Sequence, residues 1–299
     1  MKTVKASMMN AIHDLPLLVA RDEGFFRDQG LDVEIIKTPG SGQKDSDHQA
    51  LRSNIFDRTM EALYEQGACD QFRMCEWGIM KRAVESNVEK GHRPAKIVAL
   101  GSAMSTFAVV TDPKAGIYEP EQLKNKPIGV SPFNGSHFTT LKLLEGFLKR
   151  EQIKTTFAGT MRERIEALKR GEVAAISLME PWISVAEKQG LRVLMESHST
   201  RSEAAGDELD GPTLHKMFLA EAEAARAIDK NPAKYAHYLV EEAGGMLELK
   251  DLKLARILNA PPEPYTRERF QHTYEWTRDW GLVPAGATYE STVDNRAWQ

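Results

Sequence analysis

Hydrophobic and polar positions along the first two thirds of the chain switch repeatedly between a period of two and a helical period. An apolar pattern over residues 4–8 predicts a first strand, and the run "AIHDLPLLVARDEGFFRDQG" then sets Leu15, Leu18, Val19 and Phe26 on one helical face. Asp14 stands where its carboxylate can cap the open amides of that helix, and Pro16 fits the first turn, where no N–H is needed. Gly30 suits the left-handed residue that ends a helix, after which Leu31, Val33 and Ile35 alternate with Asp32 and Glu34 as a strand. Further strands are predicted over residues 72–75, 96–100, 107–111, 127–131, 173–178 and 192–196, with helical patterns between most of them. This alternation predicts βαβ units and an α/β fold with mixed, mostly parallel sheets and flanking helices. The polar, glycine-bearing stretch "SHSTRSEAAGDELDGP" (197–212) predicts a loop. Past residue 215 the pattern turns helical in "LHKMFLAEAEAARAIDK", "PAKYAHYLVEEAG", "LKDLKLARIL" and "RERFQHTYEWTRDWG", where Tyr274, Trp276 and Trp280 read as packing.

Within that pattern one segment echoes another. "EALYEQGACDQFRMCEW" (61–77) and "EALKRGEVAAISLMEPW" (166–182) each run from Glu-Ala-Leu through a glycine to a glutamate and a tryptophan. Gly67 precedes Glu76 by nine residues, and Gly171 precedes Glu180 by nine. Each copy predicts a helix ending at the glycine, then a strand, with the acid at the strand's C-terminal end, beyond which open α/β sheets bind ligands. Two similar lobes are expected, presenting Glu76 and Glu180 toward one cleft.

Composition narrows the function classes. At 299 residues the chain is near the size at which one core splits into two. A net charge of -4, with Lys and Arg dispersed, gives no basic stripe for nucleic acid, so a small-molecule partner is expected. No apolar run approaches the roughly 18 residues of a membrane helix, and the first residues lack the apolar core of a secretory signal. A cytoplasmic location is expected from the sequence as written, or a periplasmic one if a leader was removed. Cys69 and Cys75 lie six apart and do not read as a disulfide framework. The eight histidines show no metal-ligand spacing, and no phosphate-binding glycine loop follows a strand, so neither metal nor cofactor is expected.

"HDLPLLVARDEGFFRDQGLDVEI", "EPEQLKNKPIGVSPFNGS", "EALKRGEVAAISLMEPW" and "EWTRDWGLVP" together resemble the substrate-binding proteins of the nitrate/sulfonate/taurine and NMT1/THI5-like type. The resemblance implies a two-lobed type II periplasmic-binding-protein fold with two crossover strands, near 100–110 and 190–197, and ligand held in the interlobe cleft. On that pattern one lobe covers 1–104 with 196–299 and the other 105–195. It also implies an ABC permease as a partner. The absent leader, the extra polar length at 41–58 and the strand "QFRMCEW" depart from the pattern. They leave open a cytoplasmic enzyme on the same scaffold, of pyrimidine-forming, decarboxylating or desulfinating type. Only the first of these would involve pyridoxal phosphate, and the cysteine-rich motif of the fungal pyrimidine synthase is absent.

Several residues are candidates for the chemistry. "SPFNGSH" closes a strand and opens a helix, so Asn134, Gly135, Ser136 and His137 either hold an anionic group or merely cap the helix. Glu76 with Trp77, and Glu180 with Trp182, suit a flat or amine-bearing ligand; the alternative is core packing with each acid paired to an arginine such as Arg73. His13, beside Asp14, reads as a ligand contact and less readily as a general base. Ser102 is expected at a hinge that lines the cleft. Cys75 ends a predicted buried strand and would need a lowered pKa to act as nucleophile. Catalytic candidates are therefore His13, Cys75, Glu76 and His137. His48 and Arg52, in the extra segment, share a helical face suited either to a lid or to solvent.

Overall fold

In the computed structural model, which describes residues 1–38, 60–88 and 91–299, the chain opens with β1 (Lys2–Met8). It continues through α1 (Leu15–Asp22), α2 (Phe25–Asp28) and β2 (Leu31–Lys37). The two helices are parted by Gly24, whose φ of 85° leaves the helical region. Next come α3 (Met60–Glu65), β3 (Gln71–Cys75), α4 (Glu76–Val88) and the long β4 (Lys96–Thr111). The segment 41–58, with His48 and Arg52, lies outside the described residues. After β4 follow β5 (Pro127–Val130), α5 (Gly135–Leu144), β6 (Lys154–Phe157), α6 (Met161–Lys169), β7 (Ala175–Met179) and α7 (Trp182–Lys188). The chain ends with β8 (Arg192–Ala205), α8 (Gly211–Lys230), β9 (Ile257–Asn259) and α9 (Arg267–Asp279), joined by shorter turns.

Two compact units result. The first holds Met1–Met104, Thr200–Tyr235 and Asn259–Gln299, and the second Ser105–Ser199 and Ala236–Leu258. In the first unit the strand order is β2-β1-β3-β8. There β1 runs parallel to β2 and β3, and β8 runs antiparallel to β3, with Cys75 opposite Arg201 and Arg73 opposite Glu203. The second unit repeats the plan as β6-β5-β7-β4: β5 is parallel to β6 and β7, while β4 is antiparallel to β7, with Met179 opposite Phe107. In each unit the connections leave the first strand to opposite sides. The β1/β3 and β5/β7 gaps are therefore topological switch points, where crevices open at the carboxyl ends of the strands.

The echoed glycines end their helices in the same way. Gly67 (φ 71°) donates its N–H to Tyr64 O at 2.9 Å and Ala68 donates to Leu63 O at 2.8 Å. Gly171 (φ 72°) donates to Leu168 O at 3.0 Å and Glu172 to Ala167 O at 3.0 Å. Both are left-handed C-terminal caps that turn the chain into the next strand. In the first unit Met60, Tyr64, Phe72, Met80, Val84, Ile97 and Tyr265 share one buried apolar cluster.

Four expectations are corrected. Residues 96–100 and 107–111 belong to one 16-residue strand, so Gly101 and Ser102 lie within β4 rather than in a break. The stretch predicted as a loop continues as strand through Ala205: residues 201–205 pair with β3, where Glu203 meets Arg73 across the ladder, and Arg201 meets Asp14. "LKDLKLARIL" gives short turns, Leu249–Asp251 and Leu254–Arg256, and then β9 instead of a helix. Residues 236–258 fall in the second unit, where Arg256 pairs with Glu180, Glu187 and Glu196.

Candidate functional site

The loop from β5 into α5 brings Asn134, Gly135, Ser136 and His137 into one turn. Asn134 is the extended N-cap residue (φ −123°, ψ 169°), yet its side chain makes no cap hydrogen bond. Its carbonyl instead accepts from His137 N at 2.9 Å and Phe138 N at 3.1 Å. The preceding amides, Gly135 and Ser136, meet no protein acceptor among the described residues, as helix geometry dictates for a first turn. The Ser136 hydroxyl accepts from Ser131 N at 3.0 Å and so shapes the loop. Phe133 N–H donates to His137 Nδ1 at 3.2 Å. An N–H can only donate, so Nδ1 is the acceptor and the neutral ring carries its proton on Nε2. Burial pushes the His137 pKa down to about 4, which keeps the ring neutral near pH 7. Phe133 adopts φ 55° and is exposed, standing edge-on to His137 at 5.8 Å. The turn thus offers open amides, a neutral imidazole donor and an exposed ring at the positive end of a helix.

The first unit holds a second polar assembly, entirely buried. His13 lies in the turn before α1, and Asp14 behind it does not cap the helix, correcting that expectation. Its carboxylate reaches backward, accepting from Met9 N at 2.8 Å and from Arg201 Nη2 at 3.1 Å. Turn amides and a cation satisfy it better than the helix it precedes. Arg73 Nη2 donates to Glu203 at 2.9 Å and to Glu221 at 2.8 Å, and Ser102 Oγ donates to Glu221 at 2.8 Å. Gln71 Nε2 also donates to Glu203. Burial raises the Glu203 pKa far above the usual carboxylate range, and burial with the nearby Arg201 charge drives that of His13 well down.

The echoed acids are each held within their own unit. Glu76 receives Tyr265 Oη at 2.7 Å, Thr273 Oγ1 at 2.6 Å and Arg269 Nη2 at 2.5 Å. Its arginine is therefore Arg269 and not Arg73. Glu180 accepts from Ser184 Oγ at 3.0 Å and Arg256 Nη1 at 3.1 Å. Trp77 packs on Trp276 at 5.7 Å, and Trp182 is the half-buried first residue of α7. Burial pushes the Cys75 thiol up to about 12, the opposite of what a thiolate nucleophile needs. Sequence reasoning missed Phe133, Arg201, Glu203, Glu221 and Arg256. The alternation of Arg201 and Glu203 was a signal of a common strand face, masked by the polarity around them.

The NMT1/THI5-like family model matches residues 12–51. No curated protein sequence matches the chain. Among solved structures, the alkanesulfonate-binding protein SsuA from Xanthomonas axonopodis pv. citri, bound to MOPS, is similar with a TM-score of 0.69 and 14% identity, over 95% of each chain. The periplasmic nitrate-binding protein NrtA from Synechocystis PCC 6803 gives 0.72 and 14%, over 100% of this chain and 87% of its own. The desulfurization enzyme DSZB gives 0.63 and 12%, over 99% and 98%. Among the described residues, no helix is long and apolar enough to cross a membrane. The chain therefore has the α/β fold of type II periplasmic-binding proteins, with two crossover strands, and it resembles the NMT1/THI5-like family over residues 12–51.

Proposed function

We propose that this chain captures a small organic anion of the sulfonate or carboxylate class and delivers it to an ABC permease, with no cofactor involved. One observation carries the reading: the first turn of α5 keeps the Gly135 and Ser136 amides unspent beside a neutral His137 Nε2–H donor. Such a turn stabilises an oxyanion through directed N–H groups and the helix dipole. The exposed Phe133 ring offers the organic portion of the ligand an apolar face. The named ligands of SsuA and NrtA, a sulfonate and nitrate, support an anionic cargo.

Calorimetric titration with methanesulfonate, taurine, nitrate and benzoate tests this. Asn134→Ala and His137→Ala are each expected to weaken the preferred anion by about tenfold, the scale of one hydrogen bond to a charged group. Equal affinity in both variants, or no anion bound by the unaltered protein, would remove the reading. The catalytic alternative has less support, because its thiol candidate Cys75 is buried with a raised pKa and Glu76 is committed to Arg269.

A further inference from the structure

The two units share one plan, and comparing them residue by residue isolates an arginine that the plan does not require. Cys75 and Met179 are the last residues of β3 and β7, each just before its glutamate. Their cross-strand partners are Arg201 in the first unit and Phe107 in the second. One step further in, Arg73 faces Glu203 where the second unit has Ser177 facing Val109. Phe107 and Val109 are fully buried, so the same sheet position is filled by apolar side chains in one unit and by charges in the other.

Arg201 is 2% exposed. Its Nη2 donates to Asp14 at 3.1 Å, but its Nε and Nη1 are buried and meet no acceptor among the described residues. A buried guanidinium is ordinarily retained only when its donors are matched. The neighbouring carboxyls do not match them: Glu203 and Glu221 are engaged by Arg73, and Asp14 turns its second oxygen to Met9 N. Arg201 also stands where the topology directs ligands. On β8 it faces the last residue of β3, and its side chain reaches Asp14, the residue before the eight-residue α1 that follows β1.

We propose that Arg201 is an oxyanion receptor of the first unit, holding a sulfonate, carboxylate or similar planar or tetrahedral oxyanion on the nitrogens that no described protein group uses. The proposal deepens the reading above and rests on it in one respect, that the cargo is an anion. Its seat belongs to the first unit, and the turn at Asn134–His137 to the second.

The test follows the arginine Nε–H signals of the full chain by NMR as methanesulfonate, acetate or sulfate is added, with Arg201 assigned from its loss in Arg201→Lys. The Arg201 signal is expected to shift along the calorimetric binding curve, and Arg201→Met to bind about tenfold more weakly with unchanged circular dichroism. An Arg201 signal unmoved at saturation overturns the proposal, as does full affinity in a folded Arg201→Met. If Arg201→Met fails to fold, the NMR shift decides alone. Binding lost in His137→Ala with Arg201 unmoved would leave the α5 seat standing and remove this one. An Arg201 shift with unaltered binding in Asn134→Ala and His137→Ala would do the reverse. No binding of any anion would remove both.

Discussion

His137 shows how one side chain can carry a loop, a ligand donor and a pH dependence together. Its Nδ1 accepts from Phe133 N–H, which leaves the ring proton on Nε2, and burial lowers its pKa to about 4. An unfolded histidine titrates near its ordinary 6.5, so between about 4 and 6.5 the unfolded chain holds the extra proton. This contribution to stability is complete above pH 6.5 and is lost as pH falls toward 4. Buried His13, whose pKa is also lowered, acts in the same direction, whereas the raised Glu203 opposes it by favouring the folded state as pH drops. The urea midpoint of the unaltered chain is expected to fall on going from pH 7 to pH 5, and His137→Gln to flatten that slope. An unchanged slope in the variant would exclude a neutral, buried imidazole. At this scale the sequence was informative about location but not about partners. "SPFNGSH" marked the turn through its glycine and capping residues, which are local signals. That Glu76 would meet Arg269, 193 residues away, has no local signal at all.

Among the elements, the helix-glycine-strand repeat was the most legible feature, because a left-handed cap leaves a glycine in the sequence at a fixed offset. An added Cβ at Gly67 or Gly171 would touch nothing within 4 Å, so replacing either with alanine tests backbone conformation alone. Gly67→Ala and Gly171→Ala are each expected to cost about 1 kcal/mol in urea unfolding, through the φ penalty of a non-glycine residue. A loss near zero would mean that the cap shifts out of the left-handed region. Strand β8 was illegible for the opposite reason. Ser199, Arg201, Ser202 and Glu203 are all buried, and polarity in a sequence is ordinarily a sign of exposure. Pairing with Arg73 and Asp14 reverses that rule, and such pairing depends on the tertiary fold.

For the molecule as a whole, the course of the chain matters more than any single contact. Neither unit is one continuous segment: the second is completed by Ala236–Leu258, after the chain has returned to the first. Arg256, in that late segment, is the cation for buried Glu180 and also binds Glu187 and Glu196. A fragment of residues 105–199 would therefore bury Glu180 without its arginine, an arrangement that costs about 3–5 kcal/mol when one partner of a buried pair is removed. Such a fragment is expected to melt without a cooperative transition in circular dichroism, and adding a peptide of residues 236–258 to restore one. A cooperative melt of the fragment alone would show that Arg256 is dispensable to the unit.

The buried polar strand through Ser199–Ala205 also bears on how distant relatives should be compared. A polar, glycine-flanked stretch invites gaps when sequences are aligned, as though insertions there were harmless. Yet a one-residue slip would turn Arg201 and Glu203 from one face of β8 to the other and part them from Asp14 and Arg73. Alignments that forbid gaps between Thr200 and Ala205 should accordingly separate relatives that retain an arginine opposite the last residue of β3 from those carrying an apolar residue there, as Phe107 does opposite β7.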